Sequence, residues 1–389
     1  MKLYIIYLIF PLLFSSANTN INQKVSEIDN NITFYKQVIS KESTWLSSLV
    51  LSNGAIIVRP SDEMNIIPYF SNFAAISLIE TKDKENIHLA KNYINWYLNH
   101  INNKEKDYNN IAGSIYDYKI IKKNNELIEI NQYSYDSIDS YAASFFILLN
   151  KYFKETNNKK FILQNDIKIK LVENALFKSI KSNGLSIVKP DYPVYYLMDN
   201  CEVYKGLKNL EKLYLNLYLK DNFLLNFPTY LKVIYLKNQI KNNILDMLWS
   251  DKYNGFFYAY SKNEIDFKRF YPDGVAQLYP IIFEVLCPSS LKAKRIYNRF
   301  NQTFKWETLS FLNTENYYWG IFSYISIIFD DFNKNKTYLK NYLKMTNNKY
   351  DFPAINFDSS WIIRSSILAI EKLKFKKNIL ETINFYLRN

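Results

Sequence analysis

Apolar residues recur at helical spacing along almost the whole chain of 389 residues. Segments of roughly 12 to 22 residues carry apolar side chains at i, i+3, i+4 and i+7, which is typical of amphipathic helices. The pattern predicts helices over 30–51, 68–80, 86–102, 138–154, 160–181, 200–219, 228–249, 273–286, 289–304, 315–330, 335–346 and 359–387, the last broken near Phe375. No strands alternate with these helices in the pattern, so we predict an all-α fold rather than an α/β sheet.

Composition excludes several classes of protein. The chain has only 7 Gly, 2 Cys and 2 His. The shortage of glycine disfavours a large all-β protein and a nucleotide-binding fold, and two cysteines cannot build a disulfide framework. Scarce histidine disfavours a Ser-His-Asp hydrolase or a histidine metal site. We therefore predict neither metal nor cofactor, with calcium held by loop carboxylates as the alternative.

Charge and cysteine positions add two expectations. The net charge of +12 comes from lysines scattered among acidic residues, and no segment resembles a basic recognition helix. We therefore expect no nucleic-acid partner. Cys201 and Cys287 either form a disulfide or remain as two free thiols, and the sequence leaves both alternatives open.

Residues 1–17 have the pattern of a secretory signal. Lys2 supplies a positive charge, residues 3–14 form an apolar run, and small residues follow up to Ala17. The run is shorter than the ~20 apolar residues that span a bilayer, so we predict cleavage after Ala17, with an uncleaved membrane anchor as the alternative. Charges interrupt the later apolar stretches. We expect a secreted or otherwise extracytoplasmic protein with no membrane span after cleavage.

A short motif recurs between the predicted helices. The segment SNGAIIVRP around Gly54 returns as SNGLSIVKP around Gly184, with further versions around Gly255 and Gly113. Each version follows a helix, where a left-handed glycine commonly ends the helical conformation. A period of about 65 residues fits one helical hairpin with its loop, so the chain divides into about six units.

Six loops rich in polar and aromatic residues lead into helices, one loop for each unit. The helices that follow these loops, such as 138–154, are apolar or rich in small residues, whereas their partners, such as 160–181, are charged on one face. The contrast predicts an inner ring of buried helices inside an outer ring of amphipathic ones. We therefore predict an (α/α)6 toroid of six helical hairpins over residues 30–389, preceded by a segment at 18–29.

The starts of the inner helices are the predicted place for chemistry. In a toroid they meet on one face around a central cavity, with the positive ends of the helix dipoles behind them. The carboxylates at these starts are Asp62, Glu63, Asp136, Asp139, Asp199, Glu202, Asp273 and Asp358. The same loops hold Tyr69, Tyr133, Tyr135, Tyr195, Tyr196, Tyr271, Tyr317, Tyr318, Trp319 and Trp361. Aromatic side chains with a polar group are typical of carbohydrate sites, because a sugar ring presents an apolar face and polar edges. The alternative is that the acids only cap helices and the aromatics only reflect the composition.

The order of the segments and the sequence DSIDSYAA at 136–143 resemble the six-hairpin glycosidase superfamily, with glycoside hydrolase family 8 as the nearest branch. The resemblance covers roughly residues 30–380 and implies an (α/α)6 enzyme that usually inverts the anomeric centre. It also implies a general acid at Glu63, an aspartate pair at Asp136 and Asp139, and a general base near Asp199.

Glycoside hydrolysis needs one protonated carboxyl to protonate the leaving oxygen and one carboxylate to activate water. We predict a secreted glycoside hydrolase with Glu63 or Glu202 as the acid and Asp199 or Asp139 as the base. The residues predicted to bind the sugar are Asp136, Asp273, Tyr69, Tyr135, Tyr271, Tyr318, Trp319 and Trp361.

Three alternatives remain open from the sequence. A non-catalytic carbohydrate-binding or cell-envelope protein uses the same scaffold, but it needs no pair of carboxylates facing one cavity. A polysaccharide lyase uses a tyrosine as base. An open stack of helix pairs is the third alternative, and contact between the first and last hairpins excludes it. Carbohydrate is the predicted partner, and we expect a monomer.

Overall fold

The computed structural model describes residues 2–61, 64–123, 126–313, 317–347 and 349–388, and for residues 2–20, 313 and 388 it describes the backbone only. The helices and strands, in chain order, are α1 (Lys2–Ser48), β1 (Met64–Ile66), α2 (Pro68–Glu80), α3 (Lys84–His100), β2 (Tyr118–Lys123), β3 (Glu126–Asn131), α4 (Ile138–Thr156), α5 (Lys159–Gln164), α6 (Asp166–Ser179), α7 (Leu197–Leu213), α8 (Leu219–Asp221), α9 (Phe223–Met247), β4 (Trp249–Ser250), β5 (Gly255–Phe256), α10 (Tyr279–Ile282), α11 (Leu291–Thr303), α12 (Ile321–Ile328), α13 (Phe332–Thr346) and α14 (Asn356–Arg388). Tyr214–Tyr218 and Phe270–Gly274 are π-helical turns, and Trp306–Thr308 and Ser310–Asn313 are 3-10 turns.

Helices α2, α4, α7, α10, α12 and α14 form a closed inner ring. They contact one another in that order, and α14 returns to contact α2. Around them, α1 packs on α14, α3 on α2, α6 on α4, α9 on α7 and α13 on α12. The fold is the (α/α)6 toroid that the sequence predicted. Because α14 contacts α2, the open stack of helix pairs is excluded.

Burial explains why some helices are inner and others outer. In α4 every residue from Ile138 to Asn150 is buried, whereas α11 buries only Ala293, Ile296, Tyr297 and Phe300, one stripe at helical spacing. Each large apolar side chain buried in this way contributes about 1.5–3 kcal/mol to folding. The sequence contrast between apolar and half-charged helices therefore corresponds to the two rings.

Helix bounds differ from the prediction at both ends of the chain. Helix α1 begins at Lys2 rather than at residue 30, and α14 continues through Phe375, so the predicted break there is wrong. The two helices lie side by side beyond the ring, where the Lys377 Nζ is 2.7 Å from a carboxylate oxygen of Asp29. The partner helix supports α14 where the sequence pattern alone suggested an interruption.

The predicted helix over 273–286 is also wrong. The chain forms a π-helical turn at Phe270–Gly274 and then the short helix α10. Pro280 lies in the first turn of α10. A proline has no amide hydrogen and favours a new helix start over a continuous helix, which accounts for the division.

A small antiparallel sheet interrupts the helical pattern. Strand β2 pairs with β3, with Tyr118 opposite Asn131, and β1 pairs with the other edge of β2. The sheet contacts α3, because the Trp96 indole and the His100 imidazole both bond to the Glu129 carboxylate, at 2.7 and 2.9 Å. The sheet therefore extends the first hairpin and fixes the segment that precedes β2.

The repeated glycine turns have two forms. Gly54, Gly113 and Gly184 have φ values of +94°, +93° and +74°, the left-handed conformation that was expected. In the fourth turn Asn254 takes the positive φ of 49°, and Gly255 begins β5.

Cys201 is buried and Cys287 is exposed, and both are free thiols rather than a disulfide. Within the part of the chain that the structure describes, no helix is both long enough and apolar enough to cross a lipid bilayer.

Candidate active site

A cavity of about 480 Å³ opens on the face of the ring where the inner helices begin. Its lining comes from the starts of all six inner helical segments and from one loop before β2: Ile67, Tyr69, Phe70, Asp117, Asp136, Ser137, Ser140, Tyr141, Met198, Asp199, Glu202, Tyr271, Tyr279, Tyr317, Trp319, Ile355, Phe357 and Asp358. The helix starts therefore converge on one hollow, as the toroid implies.

Helix α7 contributes two acids to one side of the cavity. Glu202 is buried, and its Oε1 accepts a hydrogen bond from the Tyr69 hydroxyl. Burial raises the pKa of Glu202 to about 8, so this carboxyl holds a proton at neutral pH. Asp199 lies three residues earlier and caps no helix. Burial, followed by the charges of Asp139 and Glu202, raises the pKa of Asp199 well above its ordinary value.

The loop before β2 contributes a third acid, Asp117. Its backbone pairs with the end of the hairpin, where its N–H donates to the Ser134 carbonyl at 2.8 Å. Its carboxylate accepts a 2.9 Å hydrogen bond from the Tyr141 hydroxyl, and burial raises its pKa to about 7. The Tyr141 ring stacks against the Tyr69 ring with 6.3 Å between centroids. Asp117 and Glu202 are therefore linked through a pair of stacked tyrosines.

Asp358, in the first turn of α14, is the most enclosed acid of the lining. Its Oδ1 accepts a 2.9 Å hydrogen bond from the Gly320 N–H, and its Oδ2 has no hydrogen-bond partner among the described residues. A side chain at Gly320 would place a Cβ only 2.3 Å from the Asp358 carbonyl oxygen, so glycine allows this approach. Burial raises the pKa of Asp358 to about 7. Asp136, by contrast, is exposed at the mouth of the cavity.

Asp139 is buried but does not line the cavity. Its carboxylate accepts hydrogen bonds from the Ser137 hydroxyl at 2.8 Å, the Ser140 N–H at 2.9 Å and the Ser186 hydroxyl at 2.8 Å. Ser186 belongs to the turn that follows Gly184, so Asp139 joins the start of α4 to that turn. Burial raises its pKa to about 7. The contacts of Asp139 are those of a structural acid, while its predicted role as a base stays a prediction.

The other predicted site residues fall into two groups, those that line the cavity and those that lie away from it. Tyr69, Tyr271 and Trp319 line the cavity, as does Asp136. The structure places four others away from it, namely Asp273, Tyr135, Tyr318 and Trp361. Asp273 pairs with Arg269 at 2.5 Å from its Nε, the Tyr135 hydroxyl bonds to Asp107, and Tyr318 and Trp361 are buried in the core. Glu63 and Asp62 lie outside the described residues.

Asp117, Tyr141 and Tyr279 are among the lining residues that the predicted site did not include. Asp117 follows the glycine turn at Gly113, and Tyr141 belongs to the segment DSIDSYAA, so both had a signal in the sequence. Tyr279 had none, because it lies in the region that the pattern assigned to a longer helix. Burial, followed by the charge of Glu202, raises the pKa of Tyr279.

The charged side chains of the lining are all acidic. Among the described residues that surround the cavity, five are Asp or Glu and none is Lys, Arg or His. No group of three or more His, Cys, Asp or Glu side chains has the geometry of a metal site within the described ranges.

The fold has relatives of known structure but the sequence has no close match. No protein-family model matches the chain, and no curated protein matches it in sequence. A structure of a wild-type glycosidase superposes with a TM-score of 0.59 at 8% identity, over 89% of this chain and 98% of that one. A glycosidase variant in complex with glucose gives a TM-score of 0.57, with the same identity and coverage. At such identity the likeness shows the fold alone, an (α/α)6 toroid consistent with the six-hairpin glycosidase superfamily, and the family 8 branch stays a prediction.

Proposed function

We propose that this protein is a glycoside hydrolase. The observation that carries the proposal is a cavity lined by the carboxyls of Glu202 and Asp117, which are linked through two stacked tyrosines, and burial raises the pKa of Glu202. Glycosidases need one protonated acid and one carboxylate able to take a proton. The similarity of fold to solved glycosidases supports the same class of reaction.

In the proposed mechanism Glu202 gives its proton to the glycosidic oxygen as the bond to the anomeric carbon breaks. The Tyr69 hydroxyl then stabilises the carboxylate that is left. Asp117 takes a proton from the water that attacks the anomeric carbon, and exchange with solvent restores both groups. With a pKa of about 7, Asp117 is about half ionised at neutral pH.

We predict that the reaction inverts the anomeric centre, as the resemblance to family 8 implies. The Tyr69 and Tyr141 rings are 6.3 Å apart, and each hydroxyl holds one of the carboxyls. Inverting enzymes need ~6.5–9.5 Å between the two carboxyls, which leaves room for a water. Asp199 is a less favourable candidate for the base, because burial and the neighbouring charges of Asp139 and Glu202 raise its pKa.

The polysaccharide lyase is disfavoured by the charges of the lining. A lyase removes the proton beside a uronate carboxylate, and this step requires a cation or a strong hydrogen-bond donor to neutralise that carboxylate. None of the described lining residues is Lys, Arg or His. A non-catalytic binder is disfavoured for a different reason, since binding alone does not require a buried, protonated Glu202.

The test is a screen of the purified protein against a panel of polysaccharides, with release of reducing ends as the readout. The matched control is Glu202→Gln, which keeps the size of the side chain and an acceptor for Tyr69. We expect at least one polysaccharide to be cleaved by the wild type and not by the variant. Equal release by both proteins would reject the assignment of Glu202, and no release from any polysaccharide would favour the binder.

We also propose that the chain is secreted, on the basis of the pattern at 1–17. Mass spectrometry of the protein from the culture medium of a secreting host is expected to show a chain that begins at Asn18. Retention of the full chain in the membrane fraction would instead identify an uncleaved anchor.

A further inference from the structure

The first half of the outer helix α9 is apolar on two sides. Its inner side is buried against the ring, and the residues buried there include Val233 and Leu236. Its outer side carries Leu224, Phe227 and Leu231, which are all exposed, Leu224 by 86%. These three residues are three and four positions apart, so they form one stripe along the helix. An outer helix packs on the ring through a single apolar side, so folding does not account for the second one.

The start of α9 enlarges this outer stripe. Phe223 and Leu225 are exposed as well, and the Phe223 ring stacks on the Phe227 ring with 4.8 Å between centroids. We call Phe223, Leu224, Leu225, Phe227 and Leu231 the α9 patch. Large apolar side chains that are exposed singly are ordinary on a protein surface, whereas a contiguous group of them marks an interaction surface.

The charges around the α9 patch are mostly positive. Residues 211–241 contain five lysines and two acidic residues, whereas the whole chain has 49 Lys and Arg against 37 Asp and Glu. One of the two acids, Glu211, is paired with Lys237 at 2.7 Å. The exposed lysines of this segment are Lys212, Lys220 and Lys232. An apolar stripe bordered by lysines is typical of a helix that lies on an anionic membrane surface.

We infer that the α9 patch binds the surface of a membrane that contains anionic lipids, with the first half of α9 lying in the plane of the interface. The apolar side chains enter the boundary of the hydrocarbon, and Lys220 and Lys232 contact the lipid phosphates. Lys232 directly follows Leu231, so it lies beside the stripe, where a long side chain reaches the headgroups.

The α9 patch is remote from the cavity. Helix α7 has 17 residues and begins at the cavity with Asp199 and Glu202, so it carries the chain about 25 Å away before α9 begins. Binding through the patch therefore leaves the cavity open. The inference concerns a surface separate from the candidate active site, and it does not depend on the proposed function.

A second copy of the chain is the competing occupant of an exposed apolar patch. In a two-fold symmetric dimer each patch meets the same patch of the other copy, so Lys220 and Lys232 would approach lysines. Such like-charge contacts disfavour self-association, whereas anionic lipid compensates the same charges. The charge of the surroundings therefore favours the membrane.

The test mixes the protein, recovered from the culture medium of a secreting host, with lipid vesicles and measures binding by sedimentation. Vesicles of phosphatidylcholine alone are compared with vesicles that also contain phosphatidylglycerol. We expect about tenfold tighter binding to the anionic vesicles, with a preference that weakens as salt is added.

Two double variants separate the apolar contribution from the charged one. Leu224→Ser with Leu225→Ser is expected to lower the affinity for anionic vesicles about tenfold or more, because less apolar surface enters the membrane. Lys220→Glu with Lys232→Glu is expected to remove the preference for anionic lipid and to leave binding to neutral vesicles unchanged. Thermal unfolding should stay close to that of the wild type in both, since these side chains are exposed.

The matched control is Leu127→Ser with Ile128→Ser, which replaces another neighbouring pair of exposed aliphatic residues. This pair lies on β3 of the small sheet rather than on α9. The control is expected to bind both kinds of vesicle as the wild type does.

Binding that does not differ between neutral and anionic vesicles, or the absence of binding to both, would overturn the inference. Equal binding by the wild type and the serine variant of α9 would assign the attachment to another segment and would overturn it too. Dimers that the wild type forms and the serine variant does not, without any vesicle binding, would identify a second copy as the occupant. None of these results bears on the release of reducing ends, so the two proposals fail separately.

Discussion

Glu202 and Glu42 are two buried glutamates whose carboxylates are held by tyrosine hydroxyls, and burial raises the pKa of each. Their surroundings are otherwise different. Glu42 lies on the outer helix α1 and accepts hydrogen bonds from Tyr350 at 2.7 Å, Ser359 at 2.5 Å and Tyr342 at 3.1 Å. Glu202 has one tyrosine bond, from Tyr69, and lines the cavity.

A raised pKa therefore does not by itself mark a catalytic group. The hydrogen bonds of Glu42 occupy both of its carboxylate oxygens and join α1 to α13 and α14. The role of Glu42 is therefore structural. Glu202 keeps access to a space where a substrate fits. Asp139 and Asp117 repeat the contrast, because the first is saturated by Ser137, Ser140 and Ser186 while the second faces the cavity.

The largest expected effect separates the two glutamates. Glu202→Gln is expected to lower kcat/KM by about 10²–10⁴, the usual contribution of a general acid, with thermal unfolding close to that of the wild type. Glu42→Gln is expected to retain activity. Reducing-end release and thermal denaturation on the same preparations distinguish them, and an inactive but folded Glu42→Gln protein would break the comparison.

The two aspartates provide the second test. Asp117→Asn is expected to lower kcat by about 10²-fold or more, because the base is lost. Asp139→Asn places an amide among three donors and is expected to lower the free energy of unfolding by about 1–3 kcal/mol, with activity retained by the folded protein. Urea denaturation and kcat are measured for both. A stable, inactive Asp139→Asn variant would restore the catalytic role that the sequence suggested.

The pH profile of kcat/KM should be bell-shaped. The rate requires ionised Asp117, with a pKa of about 7, and protonated Glu202, with a pKa of about 8, so it falls below the first value and above the second. Tyr69 and Tyr141 each lower the pKa of the acid they contact. Tyr69→Phe should therefore move the alkaline limb to higher pH, and Tyr141→Phe should move the acid limb in the same direction. Unmoved limbs in both variants would remove these groups from the mechanism.

The rim aromatics should give a smaller effect. Tyr317 is 41% exposed and lines the cavity, so Tyr317→Ala is expected to raise KM about three- to tenfold with little change in kcat. Tyr235 is 63% exposed on α9 and serves as the control, because Tyr235→Ala should leave KM unchanged. Equal changes in the two variants would mean that the rim does not contact the sugar.

The smallest effect concerns stability alone. Because burial raises the pKa of Glu42 in the folded protein, this group favours folding below its unfolded pKa, and that contribution is lost as pH rises through the folded pKa. Glu42→Gln removes the contribution. As pH rises above the ordinary pKa of a glutamate, the Tm of the variant should therefore fall less than that of the wild type. A fall identical to the wild type would show that Glu42 is charged in the folded state.

Much of the architecture follows from local pattern. Helical periodicity and the repeated glycine turns predicted six hairpins, and the apolar character of segments such as 138–154 predicted which helices are inner. These features can be recognised in the sequence because each recurs along the chain and involves only residues that are close together in sequence. The convergence of polar loops on one cavity then follows from ring closure.

Tertiary structure decided which acids face that cavity. The three-residue spacing places Asp136 and Asp139 on one face only if both are helical, but Asp136 precedes the N-cap Ser137 and Asp139 lies in the first turn of α4, so only Asp136 reaches the hollow. Asp117 depends on a sheet in which β2 pairs with β1, far away in sequence, and periodicity carries no record of such pairing. The rotation of each helix and the pairing of distant strands are settled by packing across the whole ring, which no local window of sequence contains.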